Sequence, residues 1–186
     1  MTDMLTNAPT LDTDRLILRS PAKADAEAVI AFLCDEARAE GFGHCSTRGD
    51  AWRWFALNVG HWHIHGYGFF TITDKDSGTP LGMAGIWNPE GWPEAELGWV
   101  AFANAEGKGI AYEAALRVRQ WAYEDLGFTT LSSHIVPGNS RSVALAERLG
   151  ATYEGSYTNV QMGEDMIYRH PDPDGTDSDG SVEAYA

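Results

Sequence analysis

The residues best suited to chemistry lie in one short loop, Glu106-Gly107-Lys108-Gly109-Ile110-Ala111. Two glycines one residue apart let the backbone turn tightly and approach a ligand closely. Apolar residues at helical spacing from Ala111 to Leu126 predict a helix directly after the loop, and Gly127 is placed to end it. The first N–H groups and the dipole of such a helix favour an anion. The loop therefore predicts a cradle for a phosphate or pyrophosphate.

Two well-known phosphate motifs do not match this loop. A P-loop requires Ser or Thr after its Gly-Lys pair, whereas Lys108 is followed by Gly109. The dinucleotide fingerprint requires three glycines after an early strand, and neither is present. Glycine turns between a strand and a helix are also common for structural reasons alone, so the cradle needs support from other residues.

The rest of the chain predicts strands and helices that would position the loop. Thr47 and Asp50 have capping-box spacing before an aromatic-rich helix, and Asn139 and Gly150 are placed to cap a short one. In chain order the predicted elements are a strand Arg15–Arg19, a helix Ala22–Cys34, a loop Glu36–Ser46, a helix Asp50–His63, strands Phe69–Thr73, Leu81–Trp87 and Glu94–Phe102, the helix after the cradle, a strand Thr130–Val136, a helix Asn139–Leu149 and a closing hairpin, Tyr153–Val160 with Glu164–His170.

Composition limits the class of protein. The chain has 186 residues, 44% of them apolar and seven of them Trp, which predicts a single packed domain over residues 11–170. Residues 1–10 are predicted to form a flexible arm, and the acidic, Gly-, Ser- and Pro-rich residues 171–186 a disordered tail. A net charge of −14 argues against nucleic acid or an anionic membrane as partner. The sequence has no membrane-spanning apolar run, and its two cysteines, Cys34 and Cys45, fit a reducing cytoplasm.

Three patterns in this order resemble the GNAT superfamily of acetyl-CoA-dependent N-acyltransferases. The cradle resembles the family's pyrophosphate motif, Q/R-x-x-G-x-G/A. Asn139-Ser140-Arg141-Ser142-Val143, followed by Glu147-Arg148-Leu149-Gly150, resembles the N-x-x-S…E-K/R-x-G signature of the Rim-type branch, which acetylates ribosomal-protein N-termini, and Arg15–Arg19 resembles that branch's first strand. The resemblance spans Leu11 to His170. It implies an α+β fold with a mixed, mostly antiparallel seven-stranded sheet and about four flanking helices.

The resemblance implies that the protein transfers an acetyl group directly from acetyl-CoA to a primary amine, either a protein N-terminus or a small amine. Asn139 would bind the pantetheine arm, although its spacing also fits a helix cap. Backbone N–H groups near Trp99 and Val100, where the family has a bulged strand, would stabilise the oxyanion. The one departure is Glu106, because the family usually has Gln or Arg there and a carboxylate turned inward would repel the pyrophosphate. The implied acetyl-CoA contacts are Trp99, Val100, Glu106, Gly107, Lys108, Gly109, Ile110, Ala111, Asn139 and Ser142.

Catalysis requires a neutral amine and a protonated leaving thiol. An α-amine with a pKa of about 7.8 is neutral in about one molecule in seven at pH 7, so a base is needed. Glu96 is the candidate base, acting through water, and Glu94 is its rival on the same predicted strand face; either could instead be an ordinary solvated carboxylate. Ser142 is the candidate proton donor to the thiolate, or simply a serine in the first turn of a helix.

Several alternatives remain open in the sequence. The chain could use a longer acyl-CoA, or it could be a non-catalytic acyl-CoA-binding protein. His61, His63 and His65 invite a metal hypothesis, but on a helix their spacing places them on different faces, so no metal site is predicted. His134, within a predicted strand, is expected to be packed in the interior or close to the cofactor. The resemblance also allows a homodimer.

Overall fold

The computed structural model describes residues 5–159 and 163–173. Most of the predicted acidic tail, residues 174–186, therefore lies outside the described residues. So do residues 1–4 of the predicted arm and residues 160–162 at the tip of the closing hairpin. The described part of the arm contacts the domain, since the Leu5 N–H donates to the carbonyl of Pro21 and the Thr6 hydroxyl lies 2.6 Å from that of Ser20.

A mixed sheet forms the centre of the described chain. Its order is β1-β2-β3-β4-β5-β6-β8-β7, and all neighbouring strands are antiparallel except β5 and β6. The strands are β1 Leu11–Asp12, β2 Leu16–Arg19, β3 Phe69–Asp74, β4 Pro80–Trp87, β5 Glu96–Ala101, β6 Ser132–Ile135, β7 Thr152–Asn159 and β8 Gly163–Arg169. The α+β class and the mostly antiparallel sheet are confirmed. The strand count of seven was one short, because the two-residue β1 is too brief to show alternation in the sequence.

The helices follow the predicted order with one addition. A 3-10 turn at Lys23–Asp25 precedes α1. The added helix is α2, at the start of the predicted loop Glu36–Ser46, where the Asp35 side chain accepts a hydrogen bond from the N–H of Arg38. Four residues are too few to show a helical period, so that part of the loop prediction was wrong. The helices are α1 Ala26–Leu33, α2 Glu36–Ala39, α3 Arg48–His65, α4 Ile110–Glu124 and α5 Ser140–Arg148.

Both faces of the sheet are covered, which explains the near-continuous apolar runs in its central strands. Phe69 and Phe70 are both buried and point to opposite faces, because successive strand residues alternate. Phe70 packs in the cluster that contains Val118 of α4, and Phe69 packs in the cluster that contains Phe55 of α3. None of the helices in the described ranges combines the length and the apolar character needed to cross a membrane.

The sheet opens between β5 and β6. Within the described residues these parallel strands share one residue pair, Glu96 with Ser132, and beyond it they diverge. The register of β5 with β4 is unbroken from Gly82 opposite Ala101 to Trp87 opposite Glu96. The bulge that the resemblance implied near Trp99 and Val100 is therefore absent from this pairing. The opening in the sheet comes from the divergence of β5 and β6. In the chain, α4 connects β5 to β6, and α5 follows β6.

Candidate active site

A cleft of about 670 Å³ lies where β5 and β6 diverge. It is bounded by the segment after α2, by the C-terminal end of β5, by the cradle loop and by the first turns of α4 and α5. Its lining residues are Phe32, Arg38, Gly41, Phe42, Trp99, Val100, Ala101, Glu106, Gly107, Ala111, Asn139, Arg141, Ser142 and Leu145. The cleft thus brings together residues from two of the three sequence patterns, the cradle and the signature that begins at Asn139, whereas the first strand does not line it.

The cradle has the backbone geometry that its glycines predict. Gly107 and Gly109 have φ values of 72° and 74°, in the left-handed region that favours glycine. Gly109 is the N-cap of α4, and the first helical bond runs from the Glu113 N–H to the Gly109 carbonyl. The N–H groups of residues 110–112 precede that ladder, as at every helix N-terminus. Together with the cleft beside them, these donors fit a pyrophosphate group.

Side chains of the cradle have different roles. The Ile110 side chain is buried in the core, so only its backbone can face a ligand. The Lys108 ammonium donates to the Asn104 carbonyl at 2.8 Å. The Glu106 side chain lines the cleft, where it forms an ion pair with Arg38 and lies 3.9 Å from Arg141. The departure from the family motif is therefore electrically compensated, because two guanidinium groups surround the carboxylate.

Helix α5 brings its N-cap to the same cleft. The Asn139 Oδ1 accepts a hydrogen bond from the Ser142 N–H at 3.2 Å, which confirms the predicted cap. This bond leaves the Asn139 amide nitrogen and the Ser142 hydroxyl for other partners. Both residues line the cleft and also the small cavity at its inner end, where Glu96 lies.

The two candidate carboxylates are in different environments. Strand β5 begins at Glu96, so Glu94 lies before it and the alternation that paired them does not apply. Glu94 accepts two hydrogen bonds from Arg169, at 2.5 and 2.7 Å, which hold the pKa of its carboxyl below the usual range. Glu96 instead accepts a hydrogen bond from the Trp92 indole at 2.7 Å, and burial raises its pKa to about 7.

A second small cavity also has Glu96 in its wall. Its volume is about 50 Å³, and aromatic side chains form much of its wall. Glu96 and His134 line both this cavity and the one at the inner end of the cleft, so the cavities are neighbours in one path. We call the second cavity the acceptor pocket. Its lining residues are Gly41, Phe42, Phe69, Trp87, Trp92, Glu96, His134, Val136, Asn159 and Asp165.

A chain of polar side chains runs along this pocket, and the sequence alone did not reveal it. The His134 Nδ1 lies 3.6 Å from Glu96 and 3.0 Å from the Tyr157 hydroxyl, and its Nε2 lies 3.0 Å from the Ser132 hydroxyl. The Asn159 amide donates to the Tyr157 oxygen at 3.1 Å. Burial lowers the pKa of His134 to about 4, so the imidazole is neutral at pH 7.

Only part of this group had a sequence signal. Trp87 and Trp92, which flank the loop before β5, both line the pocket. His134 is beside Glu96, whereas Tyr157, Asn159 and Asp165 come from the closing hairpin. These three carry no motif; they reach the site because β8 pairs with β6.

The three spaced histidines lie on helix α3, as their aromatic neighbours indicated. His61 is buried, stacks on Trp87 with ring centroids 4.4 Å apart and bonds the Tyr67 carbonyl through Nδ1. His63 is exposed and contacts the Leu5 carbonyl. No group of three metal-ligating side chains occurs within residues 5–159 and 163–173.

Comparison with known proteins agrees with this architecture. Residues 15–152 match the family model of the acetyltransferase (GNAT) domain. The crystal structure of an acetyltransferase from Agrobacterium tumefaciens is 36% identical, with a TM-score of 0.81 over 89% of this chain and 95% of that one. The uncharacterized protein YkkB of Bacillus subtilis is 26% identical over 151 residues, 79% of this chain and 88% of its own length.

A Rim-type enzyme shares the fold at lower identity. The structure of RimL, a ribosomal L7/L12 α-N-protein acetyltransferase in complex with coenzyme A, is 15% identical with a TM-score of 0.70, over 87% of this chain and 97% of that one. The chain belongs to the GNAT acetyltransferase family. It is accordingly an acetyltransferase with acetyl-CoA as co-substrate, and the resemblance drawn from the sequence is confirmed.

Proposed function

We propose that this protein acetylates a primary amine by direct transfer from acetyl-CoA, with Glu96 as the general base. The observation that carries the proposal is the position of Glu96. It lies where the cavity at the inner end of the cleft meets the acceptor pocket, and its side chain is only 16% exposed. A base at that junction can reach a nitrogen that approaches from one side while the acetyl group comes from the other.

The electrostatics of Glu96 suit this role. A general base works best when its pKa is near the working pH, and burial gives Glu96 a pKa of about 7. Glu94 is held by Arg169 in a strong ion pair, which disfavours it as the rival base. The neutral His134 beside Glu96 adds no positive charge that would weaken the carboxylate as a base.

The remaining assignments follow the cleft from its mouth to its inner end. Backbone N–H groups of residues 107–111 bind the pyrophosphate, with Glu106, Arg38 and Arg141 at the rim. The Asn139 amide bonds the pantetheine arm, and the β5 backbone at Trp99 and Val100 faces the acyl oxygen. When bound, acetyl-CoA supplies the activated thioester carbonyl. The Ser142 hydroxyl returns a proton to the departing sulphur or orients it.

The acceptor is a small amine or a protein N-terminus. The alternatives are transfer of a longer acyl group and acyl-CoA binding without catalysis. A protein that binds acyl-CoA without catalysis does not need a buried carboxylate with a raised pKa, such as Glu96. Catalysis is therefore favoured. The free thiols Cys34 and Cys45 support a cytoplasmic location, and a homodimer is proposed by family resemblance alone.

The test is acetyl transfer to a panel of small amines, free amino acids and N-terminal peptides. The transfer is measured as the release of coenzyme A and by mass spectrometry of the acceptor. We expect a mass gain of one acetyl group on nitrogen in at least one class. Binding of acetyl-CoA without transfer to any amine would favour the non-catalytic alternative. Faster transfer from a longer acyl-CoA would favour the other.

A further inference from the structure

Asp165, on β8, is a buried carboxylate with an unused hydrogen-bonding atom. Its side chain is 2% exposed, and within the described residues its Oδ1 has no hydrogen-bond partner. Tyr157 lies opposite Asp165 on β7. The Asp165 carboxyl group forms hydrogen bonds with the side chains of Tyr157 and Asn159. Buried acceptors without a partner are costly and rare in native proteins, so this oxygen calls for an explanation.

The position of Asp165 distinguishes it from Glu96. Glu96 lines both the acceptor pocket and the cavity at the inner end of the cleft, whereas Asp165 lines the acceptor pocket alone. A nitrogen that attacks the acetyl group must lie near Glu96. Asp165 is therefore placed to contact a part of the same acceptor molecule that stays within the acceptor pocket.

The walls of the acceptor pocket favour a cation at that point. Its aromatic side chains are those of Phe42, Phe69, Trp87 and Trp92, and the faces of such rings attract positive charge. The residues that line the pocket include two carboxylates, and neither lysine nor arginine is among them. Burial raises the pKa of Asp165, and a bound ammonium group would oppose this effect.

We propose that Asp165 binds a second, positively charged nitrogen of the acceptor, so that the preferred substrates are short diamines or polyamines. The inference rests on the proposed function and specifies the acceptor for the same site. A pocket of about 50 Å³ suits a narrow alkylammonium chain better than the side chains of a polypeptide terminus. One end of the chain lies at Glu96 and is acetylated, while the other end donates hydrogen bonds to Asp165.

The test compares 1,4-diaminobutane with n-butylamine, which has the same carbon chain and lacks the second nitrogen. For the wild-type enzyme we expect kcat/KM to favour the diamine by about 10- to 100-fold, as for a charge-assisted hydrogen bond. In Asp165→Asn, which keeps the shape and removes the charge, the ratio should fall to near one. Glu164→Gln removes the same charge from the adjacent exposed position and should keep the wild-type ratio.

A second measurement uses the wild-type protein alone, so that it does not depend on the folding of a variant. Diamines with two to six carbons should show an optimum length in kcat/KM, whereas the matching monoamines should change smoothly. A wild-type ratio near one, the same ratio in Asp165→Asn as in wild type, or efficient acetylation of N-terminal peptides only would overturn the inference. Transfer to no amine at all would instead overturn the proposed function.

Discussion

The cofactor cradle and the acceptor pocket are built in opposite ways. The cradle is one continuous stretch, residues 106–111, it is largely exposed, and the groups that we propose to bind the pyrophosphate are backbone amides. The acceptor pocket is buried, and its polar groups are side chains from β5, β6, β7 and β8. Its electrostatics come from removal of water, which raises the pKa of Glu96 and lowers that of His134.

This difference has a chemical reason. All acyl-CoA molecules share one pyrophosphate, so a backbone cradle that ignores side-chain identity is sufficient for binding. Acceptors differ in size and charge, so their recognition depends on individual side chains. Substitutions should therefore separate the two regions, with cradle changes altering cofactor affinity and pocket changes altering turnover and its pH dependence.

The largest effect is expected for Glu96→Gln. Loss of the base should lower kcat/KM at pH 7 by about a thousandfold, within the range for general base catalysis. In the wild type, activity should rise as Glu96 loses its proton near pH 7. The variant should lack this inflection and approach the wild type at high pH, where the amine is neutral on its own. Initial rates between pH 5.5 and 10 measure this. Glu94→Gln should keep the inflection. A loss of activity in Glu96→Gln that does not depend on pH would exclude Glu96 as the base.

The next largest effect is expected in the cradle. Gly109→Glu places a carboxylate and a strained backbone at the pyrophosphate site, so coenzyme A affinity should fall by about 100-fold or more. Calorimetry with coenzyme A measures the change. Gly127→Glu is the matched control, because Gly127 has a φ of 72° and open space around it but lies at the far end of α4. Equal affinity in both variants would contradict the cradle assignment.

A third prediction concerns the free energy of unfolding. Burial raises the pKa of Glu96 from its ordinary 4.5 to about 7, so the folded state favours the protonated form. The contribution of protonated Glu96 to the free energy of unfolding is fully present below pH 4.5 and is lost as the pH rises through 7. The loss amounts to about 3 kcal/mol. Glu96→Gln should therefore gain stability relative to wild type at pH 8 but not at pH 4.5. Urea unfolding at both values tests this, and an equal difference at both would argue against a raised pKa.

A smaller effect is expected for Ser142→Ala. Its helix-capping bond uses the backbone N–H, so stability should be unchanged, whereas kcat should fall about tenfold through the lost hydroxyl. Asn139→Ala is the contrasting variant, since loss of the cap should cost about 1 kcal/mol. Thermal melts and single-turnover rates separate the two roles. Unchanged kcat in Ser142→Ala would leave the hydroxyl without a catalytic function.

The smallest effect is expected for Glu106→Gln. Removing this carboxylate releases Arg38 and Arg141 toward the cleft, so coenzyme A should bind about threefold more tightly at low salt, as for an exposed ion pair. Glu27→Gln removes an exposed partner of Arg48 elsewhere and should leave affinity unchanged. Weaker binding in Glu106→Gln would mean that the carboxylate itself contributes to the site.

The regions also differ in how much the sequence revealed. The cradle, α4 and the Asn139 cap could be predicted because each depends on residues close together in the chain. The short elements β1 and α2 could not, since neither is long enough to show a period. Alternation does not locate the first residue of a strand, so it could not show that Glu94 lies before β5.

The acceptor pocket was the part least accessible to prediction. Asp165 and Asn159 have no motif around them, and their approach to Glu96 depends on the insertion of β8 between β6 and β7. That order is a property of the whole sheet and cannot be read from local spacing.

Gly41 and Phe42, just after α2, line the cleft, the cavity at its inner end and the acceptor pocket. A Cβ added at Gly41 would clash with the side-chain amide nitrogen of Asn139, so this wall of the cleft and the cap of α5 are in contact. Directed evolution toward a new acceptor would therefore do better to diversify Trp87, Asn159 and Asp165. These residues line the acceptor pocket but neither the cleft nor the cavity at its inner end. Libraries built at Gly41 or Phe42 would trade a new acceptor preference against loss of coenzyme A affinity.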